Sequence, residues 1–76
     1  MPHVTVKLWP GRPDEVKKAL AEQLAKDVAE GLKVDLGDVS VAFEEVNPAD
    51  WGEKVYKPEI RDNMDKLYVQ PNYEYE

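Results

Sequence analysis

Two short stretches decide the fold: residues 3–8, His-Val-Thr-Val-Lys-Leu, and residues 39–44, Val-Ser-Val-Ala-Phe-Glu. Polar and apolar residues alternate along both, which is typical of strands with one buried face. The segment between them is long enough for one crossover helix, so we predict a right-handed β-α-β unit with parallel strands. The residues on the apolar faces are Val4, Val6 and Leu8 in the first strand and Val39, Val41 and Phe43 in the second.

The connecting helix is predicted to begin at Pro13. Proline suits the first helical position because its missing N–H would have no partner there, and Asp14 and Glu15 complement the positive end of the helix dipole. Gly31 and Gly37 lie on either side of the expected exit, and the residues leave open which of them caps the helix. The apolar stripe comprises Val16, Leu20, Leu24, Val28 and Leu32, with Ala21, Ala25 and Ala29 beside it.

The hydrophobic pattern weakens after the second strand. We expect a short helix to begin at Pro58, followed by an extended or frayed tail from Gln70. The sequence contains no internal repeat, so residues 1–76 are expected to form a single domain. The apolar residues that would share one face of the short helix are Ile60, Met64 and Leu67.

Two strands and one long helix cannot close a core alone, because a two-stranded sheet is marginal and its free edges accept another strand. The simplest remedy is a homodimer in which two β-α-β units form a four-stranded sheet with helices on one face. The predicted fold class is therefore α+β, completed by dimerisation. A hexamer stays possible, because the argument demands at least two chains and sets no upper limit.

Composition excludes several classes of protein. The chain has 76 residues, no cysteine and a single histidine, His3, so neither a disulfide framework nor a Cys/His metal site is expected. Neither a membrane-length apolar run nor a signal-peptide pattern occurs, so a cytoplasmic location without membrane association is predicted. The net charge of −6 argues against nucleic-acid binding. The first 13 residues contain Lys7, Arg12 and no acid, which makes them the locally positive stretch.

Pro2 follows the initiator methionine and leads directly into the first strand. Removal of Met1 would leave a secondary amine fixed at the start of that strand. A terminal amine titrates near about 8. Desolvation and the positive charge of Arg12 would both lower its pKa, because each disfavours the cationic form. A neutral amine near pH 7 could act as a general base and then as an acid.

Pro2 at the start of a strand, followed by Gly11-Arg12-x-Asp14-Glu15 at the start of a helix, resembles the 4-oxalocrotonate tautomerase family. The resemblance runs without a gap from Pro2 to Trp51, about two-thirds of the chain. The segment ending at Trp51 and the long C-terminal part are similar to the dimeric, phenylpyruvate-tautomerase-like branch. The family fold agrees with the β-α-β pattern.

The resemblance implies roles for four residues. Pro2 matches the catalytic proline, which acts as general base and acid. Arg12 matches the arginine that binds a substrate carboxylate. Trp51 falls where the family places an aromatic that keeps the pocket apolar, and the residues leave open whether it lines the pocket or fills the core. Ser40 stands where hexameric members have a second arginine, so a second carboxylate would lose its bidentate partner. Ser40 is either a hydrogen-bond donor to substrate or an ordinary strand residue.

The predicted function is therefore that of an isomerase, an enol–keto tautomerase that uses neither cofactor nor metal. Its substrate would be a small anionic 2-hydroxy-alkenoate or aryl-enolpyruvate, bound between subunits. One alternative is a hydratase or dehalogenase of unsaturated acids that uses the same proline. Another is a non-catalytic oligomeric module if Met1 is retained, because the Pro2 nitrogen would then be an amide. His3 points to the opposite face from Pro2 and is expected to be structural or exposed.

Overall fold

The computed structural model describes residues 1–75. The chain packs as two units, Met1–Glu45 and the segment that starts at Val46, and each is described separately below. The single domain expected over residues 1–76 stays a prediction.

The first unit is a β-α-β motif. Its two strands pair in parallel, and within the described residues they form a sheet of two strands. A short 3₁₀ turn leads from the helix to the second strand. The architecture confirms the predicted α+β class. The elements are β1, His3–Leu8; α1, Asp14–Leu32; the 3₁₀ turn, Leu36–Asp38; and β2, Ser40–Glu45.

At the start of the two strands, the parallel register pairs polar residues with polar ones and apolar residues with apolar ones. His3 lies opposite Ser40 and Val4 lies opposite Val41. Since successive residues point to opposite faces, the valines share the face that is shielded from solvent, and the polar pair lies on the exposed face. The predicted faces are confirmed. β2 begins one residue later than predicted, because the N–H of Val39 closes the preceding 3₁₀ turn on the carbonyl of Leu36.

Both ends of α1 differ from the prediction. Pro13 is the residue before the helix, with an extended backbone, and its carbonyl accepts the N–H of Val16 at 3.1 Å. Neither glycine caps the exit. Lys33 does so in the left-handed conformation, with φ 58°, and its N–H bonds to the carbonyl of Ala29. The cap geometry is the one that usually favours glycine, here occupied by a lysine.

Helix α1 packs its small-residue side toward the strands. Leu24 and Val28 are half-buried, whereas Val16 and Leu20 keep 48% and 44% of their surface exposed. The predicted apolar stripe is therefore only partly covered within one chain. The residues of α1 that are half-buried are Lys17, Ala21, Leu24, Ala25, Val28 and Ala29.

The second unit is mostly helical and begins earlier than predicted. Helix α2 spans Pro48–Trp51 and continues as a π-helical segment, Gly52–Ile60, and a 3₁₀ segment, Arg61–Lys66. Pro58 lies inside this run and does not open it, so that prediction is wrong. A proline ring clashes with the carbonyl four residues back in an α-helix, and the wider π winding relieves the clash.

The core of the second unit is built around Tyr56, which is 6% exposed. Val46 and Val55 are also buried. The rings of Tyr73 and Tyr75 lie 5.7 Å and 6.4 Å from that of Tyr56, measured between ring centroids. The tail was expected to be extended or frayed. It has no regular secondary structure over residues 71–75, but its tyrosines pack on the core.

No helix in residues 1–75 combines the length and the apolar character needed to cross a bilayer.

Candidate active site

Pro2 lies directly before β1, and the sheet holds it in place. Its carbonyl accepts a hydrogen bond from the N–H of Ser40, with 3.2 Å between nitrogen and oxygen. Pro2 itself is half-buried, whereas Met1 is 96% exposed. The nitrogen of Pro2 therefore sits at a fixed end of the sheet, where removal of Met1 would expose it as a secondary amine.

The side chain of Ser40 takes part in a second contact with the start of β1. Its Oγ lies 2.6 Å from Nδ1 of His3. Nε2 of the same imidazole lies 3.3 Å from Oγ1 of Thr5. All three side chains are exposed, as expected for His3. The structure thus brings Pro2 and Ser40 together, with His3 between two hydroxyl groups.

Arg12 lies in the loop that joins β1 to α1, and it is exposed. The loop turns at Gly11, whose φ of 126° is open to glycine and strained for other residues. α1 starts two residues after Arg12. The sequence motif therefore places the guanidinium at the carboxyl end of β1, beside the amino end of the helix.

Arg12 and Pro2 consequently lie at opposite ends of β1. The strand has six residues. At about 3.3 Å per residue it separates the two positions by roughly 20 Å. That separation is much longer than an arginine side chain. Within one chain, the structure does not bring the predicted carboxylate-binding group to the predicted base.

Trp51 ends helix α2 in the second unit. It is half-buried, and its indole N–H donates to the hydroxyl of Tyr73 at 3.2 Å. Tyr75 donates from its hydroxyl to the carbonyl of Pro48 at 2.6 Å, so the same helix is held by both tail tyrosines. The role of Trp51 in binding substrate stays a prediction from the resemblance.

A second arginine, Arg61, also belongs to the second unit. Its Nε donates to a carboxylate oxygen of Asp62 at 2.9 Å. That hydrogen bond, with the negative charge behind it, raises the pKa of Arg61 above its usual value. Since Arg61 already has a carboxylate partner, Arg12 is the stronger candidate for binding an anionic substrate.

The link between His3, Ser40 and Thr5 is the part of the site that the sequence analysis missed. Part of this contact can be predicted, because the alternating pattern indicates both strands and their parallel order. Their relative register was not specified by the pattern, and the contact of His3 with Ser40 depends on it. A shift of one residue would have placed His3 opposite an apolar neighbour.

Comparison with known proteins shows the family of the chain. Residues 2–56 match the family model described as tautomerase enzyme. A probable tautomerase of Xylella fastidiosa is 40% identical over 73 residues, covering 96% of this chain and 89% of the relative. Tautomerase PptA of Pectobacterium atrosepticum is 38% identical over 76 residues, covering 99% of this chain and 100% of the relative.

A tautomerase PptA of Escherichia coli is 30% identical over 74 residues, covering 96% of this chain and 97% of the relative. The matches thus extend over both units of the chain, and the family model includes Pro2, Arg12, Ser40 and Trp51. A parallel β-α-β motif that starts at a proline is consistent with them. The chain therefore belongs to the tautomerase family and is an isomerase of the tautomerase type.

Proposed function

We propose that the protein interconverts the enol and keto forms of a 2-hydroxy-alkenoate or an aryl-enolpyruvate without a cofactor, using the amine of Pro2. The observation that carries this proposal is the hydrogen bond from Ser40 N–H to the Pro2 carbonyl, which fixes the chain's start at the end of the sheet. A base that is held in place can be presented to one substrate atom and then to another.

The proposed reaction moves one proton and needs no other reactant. The neutral amine removes the proton from the enol hydroxyl, and the C2–O bond becomes a carbonyl as the C2–C3 double bond becomes single. The electron pair reaches C3, which takes a proton from the ammonium of Pro2. Base and acid are the same nitrogen, so the enzyme returns to its starting state.

Arg12 is proposed to bind the substrate carboxylate. A guanidinium binds a carboxylate through two parallel N–H bonds, which fixes the orientation of the acid as well as its charge. With Ser40 where hexameric relatives have a second arginine, the proposed substrate carries one carboxylate. A small anion would also be drawn to the acid-free first 13 residues of an otherwise acidic chain.

The separation of Pro2 from Arg12 leads us to propose that the site lies between two copies of the chain. The proposed homodimer supplies Pro2 from one copy and Arg12 from the other. Two further observations support association. Each strand of the sheet has an edge without a partner strand in the described chain, and Val16 and Leu20 leave apolar surface of α1 uncovered.

The test of the proposed function is the Pro2→Ala variant, assayed with the enol of phenylpyruvate. We expect kcat to fall by about a hundredfold or more, while KM changes less than about twofold, because a primary amine on a less restrained residue replaces the ring amine and the carboxylate site is kept. Intact-mass measurement must show first that Met1 is absent from the parent protein.

Pro10→Ala is the matched control, since it changes a proline in the loop after β1 and leaves the amine in place. We expect its kcat to stay near that of the parent. A Pro2→Ala variant as fast as the parent would contradict the proposal.

A further inference from the structure

The exposed face of the sheet carries an unusual polar link at the end where Pro2 lies. His3 and Ser40 are cross-strand neighbours, and their side chains meet at 2.6 Å between Nδ1 and Oγ. Thr5, two residues further along β1, approaches the other ring nitrogen at 3.3 Å. The imidazole is therefore held at both nitrogens by hydroxyl groups, one from each strand.

This link lies next to the end of the ladder. Strand ends fray, and Pro2 lies one residue before the first residue of β1. The backbone of Pro2 is hydrogen-bonded through its carbonyl, which accepts the N–H of Ser40. The residue that holds Pro2 through its backbone thus holds His3, the next residue, through its side chain.

We propose that Ser40 and His3 are positioning residues for the amine of Pro2. This inference rests on the proposed function and assigns to the Ser40 hydroxyl the task of restraining the base. Ser40 contacts two consecutive residues, Pro2 through its backbone N–H and His3 through its side chain. The peptide bond between Pro2 and His3 is therefore restrained against separation from the sheet and against rotation. A misplacement of about 1 Å at a reacting group can cost a hundredfold in rate, so a restraint at this point acts on kcat.

The chemistry of the link suits a restraint. A hydroxyl can donate or accept, and a histidine ring nitrogen does one or the other according to its proton. Both nitrogens of His3 face hydroxyl groups. The contact with Ser40 is therefore available in either neutral tautomer and in the protonated ring.

The first test compares Ser40→Ala with Ser40→Thr in the phenylpyruvate enol assay. The alanine variant keeps the backbone hydrogen bond to Pro2 and loses the link to His3. We expect kcat to fall about tenfold with KM changed less than about twofold. The threonine variant keeps a hydroxyl and suits a strand, so we expect it to restore kcat to within about twofold of the parent.

Glu44→Ala is the matched control. Glu44 lies on the same face of β2, at the far end of the sheet, where its carboxylate is 4.0 Å from Nζ of Lys7. The variant removes a cross-strand contact that does not touch Pro2 or His3, and we expect kcat to be unchanged. An equal loss in Glu44→Ala and Ser40→Ala, or no loss in Ser40→Ala, would overturn the inference.

A second readout needs no substrate and separates this inference from the proposed function. The NMR order parameter of the His3 backbone amide should fall from about 0.85, the rigid value, toward about 0.6 in Ser40→Ala and return in Ser40→Thr. An unchanged order parameter would overturn the restraint itself. If Pro2→Ala stays active while this order parameter falls, the proposed base is wrong and the restraint is real.

Discussion

At the scale of single residues, the roles proposed for Arg12 and Ser40 are only partly suggested by their sequence positions. Arg12 follows the glycine turn after β1 and lies, exposed, two residues before α1. Ser40 is the first residue of β2, and its hydroxyl lies 2.6 Å from Nδ1 of His3. One residue is thus oriented toward solvent, where an anion can reach it, while the other is linked to the strand that carries the proposed base.

Arg12→Lys tests whether geometry or charge matters at the first of these positions. Lysine keeps the charge but lacks the planar fork that binds a carboxylate through two hydrogen bonds. We expect KM for the phenylpyruvate enol to rise about tenfold, with a smaller change in kcat. Initial-rate measurements over a range of substrate concentrations separate the change in KM from the change in kcat.

Arg61→Lys is the control for that experiment, because Arg61 is the other arginine of the chain and its Nε bonds to Asp62. We expect its KM to equal that of the parent. A similar KM for Arg12→Lys and the parent would show that Arg12 does not bind the carboxylate by the two-bond geometry.

At the scale of elements, the end of α1 stores strain. Lys33 adopts φ 58° and ψ 49°. In that conformation the β-carbon of an L-residue crowds the following carbonyl oxygen, at a cost of roughly 1–2 kcal/mol. Glycine lacks the β-carbon but loses more conformational freedom on folding.

Lys33→Gly should therefore raise the free energy of unfolding, by about 0.5–1 kcal/mol. Urea denaturation at one fixed protein concentration measures the change. Lys26→Gly, an exposed position in the interior of the same helix, should lower the free energy of unfolding by about 1 kcal/mol. The two glycine variants are thus expected to change the free energy of unfolding in opposite directions. A loss of stability in both would contradict the assigned cap.

The π-helical segment contains an ion pair whose contribution to stability depends on pH. Lys57 donates to the carboxylate of Glu53, and this hydrogen bond, followed by the charge of Lys57, lowers the pKa of Glu53 below its ordinary value of 4.5. Because the folded-state pKa is the lower one, the pair stabilises the fold above pH 4.5. Its contribution is lost as pH falls through the folded-state pKa.

Lys57→Met should raise the pKa of Glu53 toward 4.5, which a carbon-13 NMR titration of its carboxyl group measures. The difference in stability between this variant and the parent should become smaller as pH falls through the folded-state pKa of Glu53. Lys54→Met is the control, because Lys54 pairs with Asp50 at 3.8 Å. If both variants moved the Glu53 titration equally, the assigned cause would be wrong.

These elements also show what the sequence could and could not predict. β1 was predicted with its observed bounds, because strict alternation specifies both a strand and its face. The helical run from Pro48 was missed because its residues follow no regular period, and the winding is π and 3₁₀. Pro58 predicts the first turn of a helix, because proline is enriched there. The π-helical winding that accommodates it inside the segment has no recognised sequence pattern.

At the scale of the whole molecule, the proposed site depends on two chains. Pro2 and Arg12 lie at opposite ends of a six-residue strand. Three features support the proposed association: the strand edges that lack a partner in residues 1–75, the uncovered surface of α1, and the distance between Pro2 and Arg12. Residue patterns predicted this need for a partner, because a two-stranded sheet is marginal alone. The separation of Pro2 from Arg12 follows from the same patterns, because it is set by the length of β1. They could not supply the register of β1 against β2, on which the contact of His3 with Ser40 depends.

Complementation between two inactive variants tests this arrangement. Pro2→Ala and Arg12→Ala are unfolded, mixed in equal amounts and refolded together. A dimer with one chain of each type has one site in which both groups are intact. Since half of the dimers are mixed and half of their sites are intact, activity should recover to about a quarter of that of the parent.

Size-exclusion chromatography of the mixture must show that dimers have formed. If dimers form and the mixture stays as inactive as its components, Pro2 and Arg12 act within one chain. Recovery close to a quarter would identify Arg12 as a contribution of the second chain.

The free strand edges of the first unit have one more consequence, which concerns how much protein is present. If a second chain must cover them, folding, pairing and completion of the site are one equilibrium, governed by mass action. Dilution would then lower the amount of active enzyme in two ways. It would separate the chains, and it would expose the backbone groups at the strand edges to water. Specific activity would fall in dilute samples and recover on concentration, and the unfolding temperature would rise with the amount of protein. For so small a chain, the protein concentration would itself determine the specific activity.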